Sequence, residues 1–262
     1  MYTKRLSPFD SLVPYNKMYP SQCVSHENML YMFDEQTLSR VHSYDTETGV
    51  LKQLVKVRAM ADAMSMCIDK KNGDLYVFCL TGKVYVIRRE EIADIWKLKE
   101  SYSPFSACIL DDRLFVLTWD DFASYTVREY NTKTHRYVGE PLAMDRNTSF
   151  VDPQTIQTNT KRHIIVDNSY STLRGVKINV FHENGDFLYG VSPIPSNMMM
   201  IDDWDRFVFW KFDENVVYTM DPDGENKCEI KTRDMNAKEN TAKYVCCFAT
   251  KRIIVNKKLI VD

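Results

Sequence analysis

DLYVF, residues 74–78, sits inside AMSMCIDKKNGDLYVFCLTGKVYVIRRE (63–90) and decides the fold, because it is one of six short apolar strands at a regular interval. The others are MLYMF (29–33), RLFVL (113–117), HIIVD (163–167), RFVFW (206–210) and RIIVN (252–256). They recur about every 45 residues, a period that marks a supersecondary unit unable to bury its own face without stacking on neighbours.

The sequence around these strands repeats as well. A small, apolar strand precedes each one: QCVS (22–25), MSMCI (64–68), SACIL (106–110), TIQT (155–158), MMMI (198–201) and VCCF (245–248). An alternating strand follows and closes in a polar turn, as in VHSYDTETG (41–49), VREYNTKTH (127–135), INVFHENGD (178–186) and VYTMDPDGE (217–225). Asp, Asn, Gly and Pro in those turns supply positive φ or local side-chain hydrogen bonds. A further strand comes next, such as LKQLV (51–55) or CEIKT (228–232). Four antiparallel strands per unit make a propeller blade. The expectation is therefore an all-β, six-bladed β-propeller occupying residues 1–262 as a single domain.

After RIIVN only KKLIVD remains, so the last blade lacks its outer strand, while the first has a surplus segment ahead of it. Placing residues 2–8 on the last blade balances both, and the expected ring is closed by the N-terminal strand joining the C-terminal blade. Such closure removes exposed sheet edges.

Composition fits one large domain. The formal charge of −2 and 27% charged residues exclude a polybasic tail or a disordered chain. No stretch approaches the roughly 20 apolar residues of a membrane helix, and the first residues lack the apolar centre of a secretory signal. Seven cysteines, an odd number lying mostly in strands, argue against a disulfide framework. The expectation is a reducing compartment, cytoplasmic or nuclear.

Residues 63–90 resemble an NHL-repeat unit: a small apolar strand ending in Asp, a Gly-containing turn, an aliphatic-aromatic strand, then a hairpin with an aliphatic-Val pair. HIIVDNSYSTLRGVKINVFHENGDFL (163–188) and MIDDWDRFVFWKFDENVVYTMDPDGE (200–225) are similar. The resemblance spans nearly the whole chain from about residue 20 and implies a six-bladed docking platform. In TRIM and related proteins such a propeller binds RNA or protein partners.

Catalysis is the competing class. Gluconolactonase-like propellers hydrolyse esters and lactones with a divalent cation held in the central channel by Glu, Asn and Asp. A hard cation needs converging oxygen ligands, whereas the innermost strands offer Cys23, Cys67, Cys108, Met200, Cys246 and Cys247. Asp69, Asp111, Asp202 and Asp203 stand at strand-to-turn junctions instead. Asp167 and Asn168, with Asn215 of a neighbouring blade, form the one oxygen cluster that a metal-dependent lactonase could use. The cysteines lack paired zinc spacings and read as small core residues. His26, His42, His135, His163 and His182 have no Ser or Cys partner nearby in sequence. No catalytic residue, metal or cofactor is expected, nor a small-molecule substrate.

Sorting connections by face gives a short, charged turn side and a loop side rich in rings and cations. Binding residues concentrate in loops, and aromatic and Arg side chains dominate interface energetics. The expected partner-binding set is Trp96, Tyr102, Trp119, Tyr125, Tyr170 and Trp210 as anchors, with Arg58, Lys97, Arg174 and Lys211 fixing polar groups. Asp120, Asp121, Asp152, Asp167, Asp213 and Glu214 among the same loops would repel a phosphate backbone, which favours a protein or peptide partner. RNA remains the alternative, since residues 227–258 carry nine Lys and Arg against three Asp and Glu.

Overall fold

The computed structural model describes residues 20–34, 40–45, 48, 50–56, 63–99, 103–119, 125–142, 150, 153–168, 178–194, 198–202, 204–211, 216–231, 245–247, 252–255 and 258–261. The strands expected of the repeat from residue 20 onward are present, and the chain order of strands is also their order in each sheet. The first sheet holds β1 (Pro20–His26), β2 (Met29–Asp34), β3 (Arg40–Asp45) and β4 (Leu51–Lys56). The second holds β5 (Ala63–Ile68), β6 (Leu75–Cys79), β7 (Lys83–Arg88) and β8 (Glu91–Lys97). In the third are β9 (Ser103–Leu110), β10 (Arg113–Trp119), β11 (Tyr125–Asn131) and β12 (Tyr137–Gly139). Next come β13 (Thr155–Thr158), β14 (Ile164–Asp167), β15 (Ile178–Phe181) and β16 (Phe187–Val191). The fifth sheet comprises β17 (Met198–Ile201), β18 (Phe207–Lys211), β19 (Val216–Met220) and β20 (Cys228–Lys231). The last has three strands among the described residues: β21 (Val245–Cys247), β22 (Arg252–Val255) and β23 (Lys258–Val261).

All of these pairings are antiparallel, so the chain is an all-β propeller with four-stranded blades. The inner strands neighbour one another in turn: β1 and β5, β5 and β9, β9 and β13, β13 and β17, β17 and β21, and β21 and β1. Residues 2–8, expected as the outer strand of the last blade, lie outside the described residues.

The core lies between blades, and one strand shows why. Along β6, Leu75, Val77 and Cys79 pack toward Val41 of the first sheet, whereas Tyr76 and Phe78 pack toward Ala107, Leu114 and Val116 of the third. Along β10, Leu114 and Val116 face the second sheet while Phe115 and Leu117 meet Ile156, Ile164 and Phe181 of the fourth. Side chains alternate across a strand, so a strand covered on both sides has no polar face. That is why the second strand of each unit reads as a continuous apolar run.

Burial decays outward. All five residues of β6 are buried, whereas β8 exposes Glu91, Ala93, Asp94, Ile95 and Lys97.

Polar bonds stitch the seams. The Gln157 amide donates to the Met199 carbonyl (3.2 Å) and its oxygen accepts from the Ile201 N–H (2.9 Å), tying β13 to β17. Between β9 and β13, the Ile156 N–H donates to Ser106 Oγ (3.2 Å) and Thr158 Oγ1 donates to the Ile109 carbonyl (3.3 Å).

Candidate functional site

The loop side of the third blade gathers three rings at one strand end. Trp119 closes β10 and pairs in register with Tyr125, the first residue of β11, and with Ser103, the first of β9. Leu117 pairs with Ser106 but Thr118 with Pro104, so Phe105 is the extra residue of a β-bulge. Bulges re-aim side chains near strand ends. Phe105 lies edge-on to Trp119 (6.3 Å between centroids, 73°) and to Tyr125 (5.9 Å, 66°). Phe105 and Tyr125 also pack on the seam between the third and fourth blades, while Trp119 is 41% exposed. An exposed indole braced by two half-buried rings has little side-chain freedom left to lose were it to meet a partner.

The other expected anchors fall elsewhere. Trp96 and Lys97 belong to the outer strand β8 rather than to a loop. The Trp96 ring is half-buried, stacked flat on His135 (4.8 Å, 2°) and tilted against Tyr130 (5.6 Å). Its partners are thus side chains of the third blade, and it closes a seam; Lys97 is exposed opposite Lys83. Arg58, Tyr102, Tyr170 and Arg174 lie outside the described residues. Trp210 and Lys211 close β18 and are placed there by backbone pairing: Trp210 pairs with Met198 and Val217, and Lys211 with Val216.

On the turn side, Asp69, Asn159 and Asp202 each begin the turn between first and second strands and accept backbone N–H groups. Lys71 N donates to Asp69 (2.9 Å), His163 N to Asn159 (2.9 Å), and Trp204 N (3.0 Å) and Arg206 N (2.9 Å) to Asp202. These carboxylates and amides shape turns. Neighbouring blades are joined here by ions: Arg113 grips the Glu129 carboxylate with two bonds (2.7 and 2.8 Å) and donates to the Glu183 carbonyl (2.6 Å). Arg162 reaches Asp111 (2.6 Å) and Glu183. Thr160 donates through both N–H (2.7 Å) and hydroxyl (2.6 Å) to the buried Asp205.

One residue missed in the sequence belongs to this side. Trp204, hidden in the charged string DDWDR, is 47% exposed with the Arg206 guanidinium 5.0 Å from its ring.

His163 gives the turn side a pH dependence. Burial first, then the Lys161 and His182 charges, hold its pKa below the ordinary histidine value. Its buried Nδ1 has no hydrogen-bond partner among the described residues. The unfolded chain therefore takes up this proton more readily, so the stability tied to neutral His163 is present above the unfolded pKa and is lost as pH falls toward the folded one. The melting temperature is expected to decline from about pH 7 to about pH 5, and H163Q to remove part of that decline in a pH series of thermal melts.

The chemistry of the buried groups is quiet. Burial pushes the Cys108 thiol up, and burial together with Cys108 and Asp69 does the same for Cys67, the opposite of what a reactive thiolate needs. Asp167 and Asn168 are buried at the loop end of β14, near the equally buried Asn179; Asn215 lies outside the described residues. Among the described residues, no three His, Cys, Asp or Glu side chains gather as a metal site, and no helix is long and apolar enough to cross a membrane.

No family model and no curated protein matches the chain, so the NHL likeness stays at the level of pattern. Solved structures do match in shape. The WD40 β-propeller domain of Doa1 superposes with a TM-score of 0.59 at 12% identity, covering 93% of this chain and 92% of that one. Virginiamycin B lyase from Staphylococcus aureus gives 0.56 at 12% identity, covering 92% of this chain and 78% of that one. One is a WD40 domain and the other a lyase, and at such identity the likeness carries fold alone: the chain is a β-propeller.

Proposed function

We propose that the six sheets form a six-bladed ring, with residues 2–8 completing the last blade, and that this ring is a non-catalytic docking platform for a protein or peptide partner. The compartment we propose is cytoplasmic or nuclear. The observation carrying the reading is the Phe105–Trp119–Tyr125 cluster, an exposed indole braced on a rigid strand end. The WD40 neighbour makes a protein partner a natural use of the fold, and acidic side chains in the adjoining loops disfavour a nucleic-acid backbone.

Trp119→Ala is expected to weaken partner capture about thirtyfold or more, corresponding to about 2 kcal/mol for an aromatic anchor. The melting temperature should stay unchanged, and Trp204→Ala on the opposite side serves as the matched control. Capture from lysate, with and without nuclease, followed by titration of the purified partner, reads the effect. Loss of capture on nuclease treatment would make RNA the ligand. Loss in W204A with retention in W119A would move the site to the turn side.

A further inference from the structure

The rim of the propeller carries one outer strand unlike its counterparts. Sheet edges are ordinarily blunted by charged side chains or by being very short. Among the described outer strands, β4 contains Lys52 and Lys56, β8 contains Glu91, Asp94 and Lys97, and β20 contains Glu229 and Lys231, while β12 has only three residues. The outer strand of the fourth blade, β16, reads FLYGV: five residues with no charge and no proline. Phe187 and Leu188 on it are 40% and 42% exposed.

The main chain of this edge faces outward at Gly190. The His182 N–H donates to the Asp186 carbonyl (2.8 Å), so His182 is turned toward β16; alternation turns Val180 and Ile178 the same way, toward their partners Tyr189 and Val191. Gly190, opposite Asn179, therefore directs its N–H and C=O away from β15, and among the described residues no other strand pairs with β16. A glycine inside a strand often marks the close approach of another backbone. Val180 pairs with Tyr189 but Phe181 with Phe187, so Leu188 is the extra residue of a bulge. A bulge can guard an edge, but this one lies at the turn end and leaves Tyr189, Gly190 and Val191 in regular register. Tyr189 and Val191 pack in the seam with the fifth blade, which puts Leu188 and Gly190 together on the opposite face. Phe187 is braced edge-on against Phe181 (5.8 Å between centroids, 72°).

We propose that β16 pairs antiparallel with β16 of a second copy of this chain, joining two fourth blades into one eight-stranded sheet. The two-fold axis passes between the two Gly190 residues, each donating its N–H to the other's carbonyl. Leu188 of each copy lies diagonally across Gly190 of the other, where no side chain obstructs it. Charge makes a second copy the occupant. In this register Leu188 faces Ser192 and Tyr189 faces Val191, so an uncharged strand meets its own image and no charge is set against its like. Such an isologous contact uses up the edge of both partners, and assembly stops at two.

The test is sedimentation equilibrium of the full chain from about 5 to about 500 µM. One strand pair is a small interface, so a weak dimer is expected, with a dissociation constant on the order of 100 µM. Leu188→Lys places a charge on the edge, and Gly190→Pro removes the outward N–H without breaking a bond to β15. Each should weaken association about tenfold or more while the melting temperature of dilute protein stays unchanged. Ile95→Lys, at an exposed position of β8, and Trp119→Ala should leave association as it is, which separates this edge from the loop-side reading. In a mixture of isotope-labelled and unlabelled unaltered chains, an intermolecular NOE is expected between the Leu188 methyls and the Gly190 Hα; this readout decides the matter even where both variants fail to fold. A monomer throughout the range, including one that captures a foreign peptide on this strand, would overturn the proposal. So would growth beyond two copies, a dimer untouched by both folded variants or lost in Ile95→Lys or Trp119→Ala, or an associated sample without that NOE.

Discussion

Gly185→Ala is expected to break the seam between the third and fourth blades. Gly185 sits at φ +96° in the turn joining β15 to β16, a conformation that costs an L-residue about 1–2 kcal/mol by itself. The larger effect is steric. A Cβ built there would stand 1.7 Å from the Pro141 carbonyl oxygen and 2.7 Å from its carbon, both backbone atoms of the neighbouring blade. No rotamer relieves such a clash, so the turn or the segment after β12 must move and pull against the Arg113 and Arg162 contacts at Glu183. We expect a loss of about 4 kcal/mol or more, read as a fall in melting temperature of about 10 °C or as aggregation. Gly139→Ala is the internal comparison: nothing lies within 4 Å of the place its Cβ would take, and its melting temperature should barely change. Equal melting of the two variants would mean that this seam is looser than the geometry requires.

Phe115→Ala should be nearly as damaging, and for a different reason. The ring is fully buried in β10, packed with Leu117 and Phe181, and carries the Arg113 guanidinium 4.8 Å away. Its removal loses transfer free energy and leaves a cavity in a seam whose backbone cannot collapse, costing about 3–5 kcal/mol; Phe115→Leu should cost about 1.5 kcal/mol or less. Urea unfolding would report this as a lower midpoint, with Phe115→Leu falling between the two. Because Gly185 and Phe115 serve the same seam, the double variant should lose less than the sum of the singles.

The sequence was most legible where physics is periodic. DLYVF, RLFVL and HIIVD announce themselves because a strand covered on both faces must be apolar throughout, and their spacing then dictates blade stacking. The strand preceding each was readable from its small residues, as Cys67, Ala107 and Cys108 confirm by their burial in the seams. Side-chain roles were less legible. Trp96 looks like a loop anchor from its neighbours in the chain, yet its partners, His135 and Tyr130, arrive from the next blade about 40 residues away. Phe105 falls among the loop-side rings by its place in the chain, but its bracing of Trp119 and Tyr125 depends on a bulge, and so on a register that no local pattern states. Trp204 was obscured by four charged neighbours, although a lone indole in a short turn has nowhere to hide from solvent.

The Gln157 amide, occupying both the Met199 carbonyl and the Ile201 N–H, has a consequence for how extended chains could approach this molecule. Those two main-chain groups lie on the axial edge of the fifth blade, the edge where an incoming strand would otherwise find a free donor and acceptor. A side chain that imitates one rung of a ladder caps that edge without extending it, and so denies it to a foreign strand. Polypeptides that bind by strand addition are thereby turned away from the axis at this blade and directed to its outer rim.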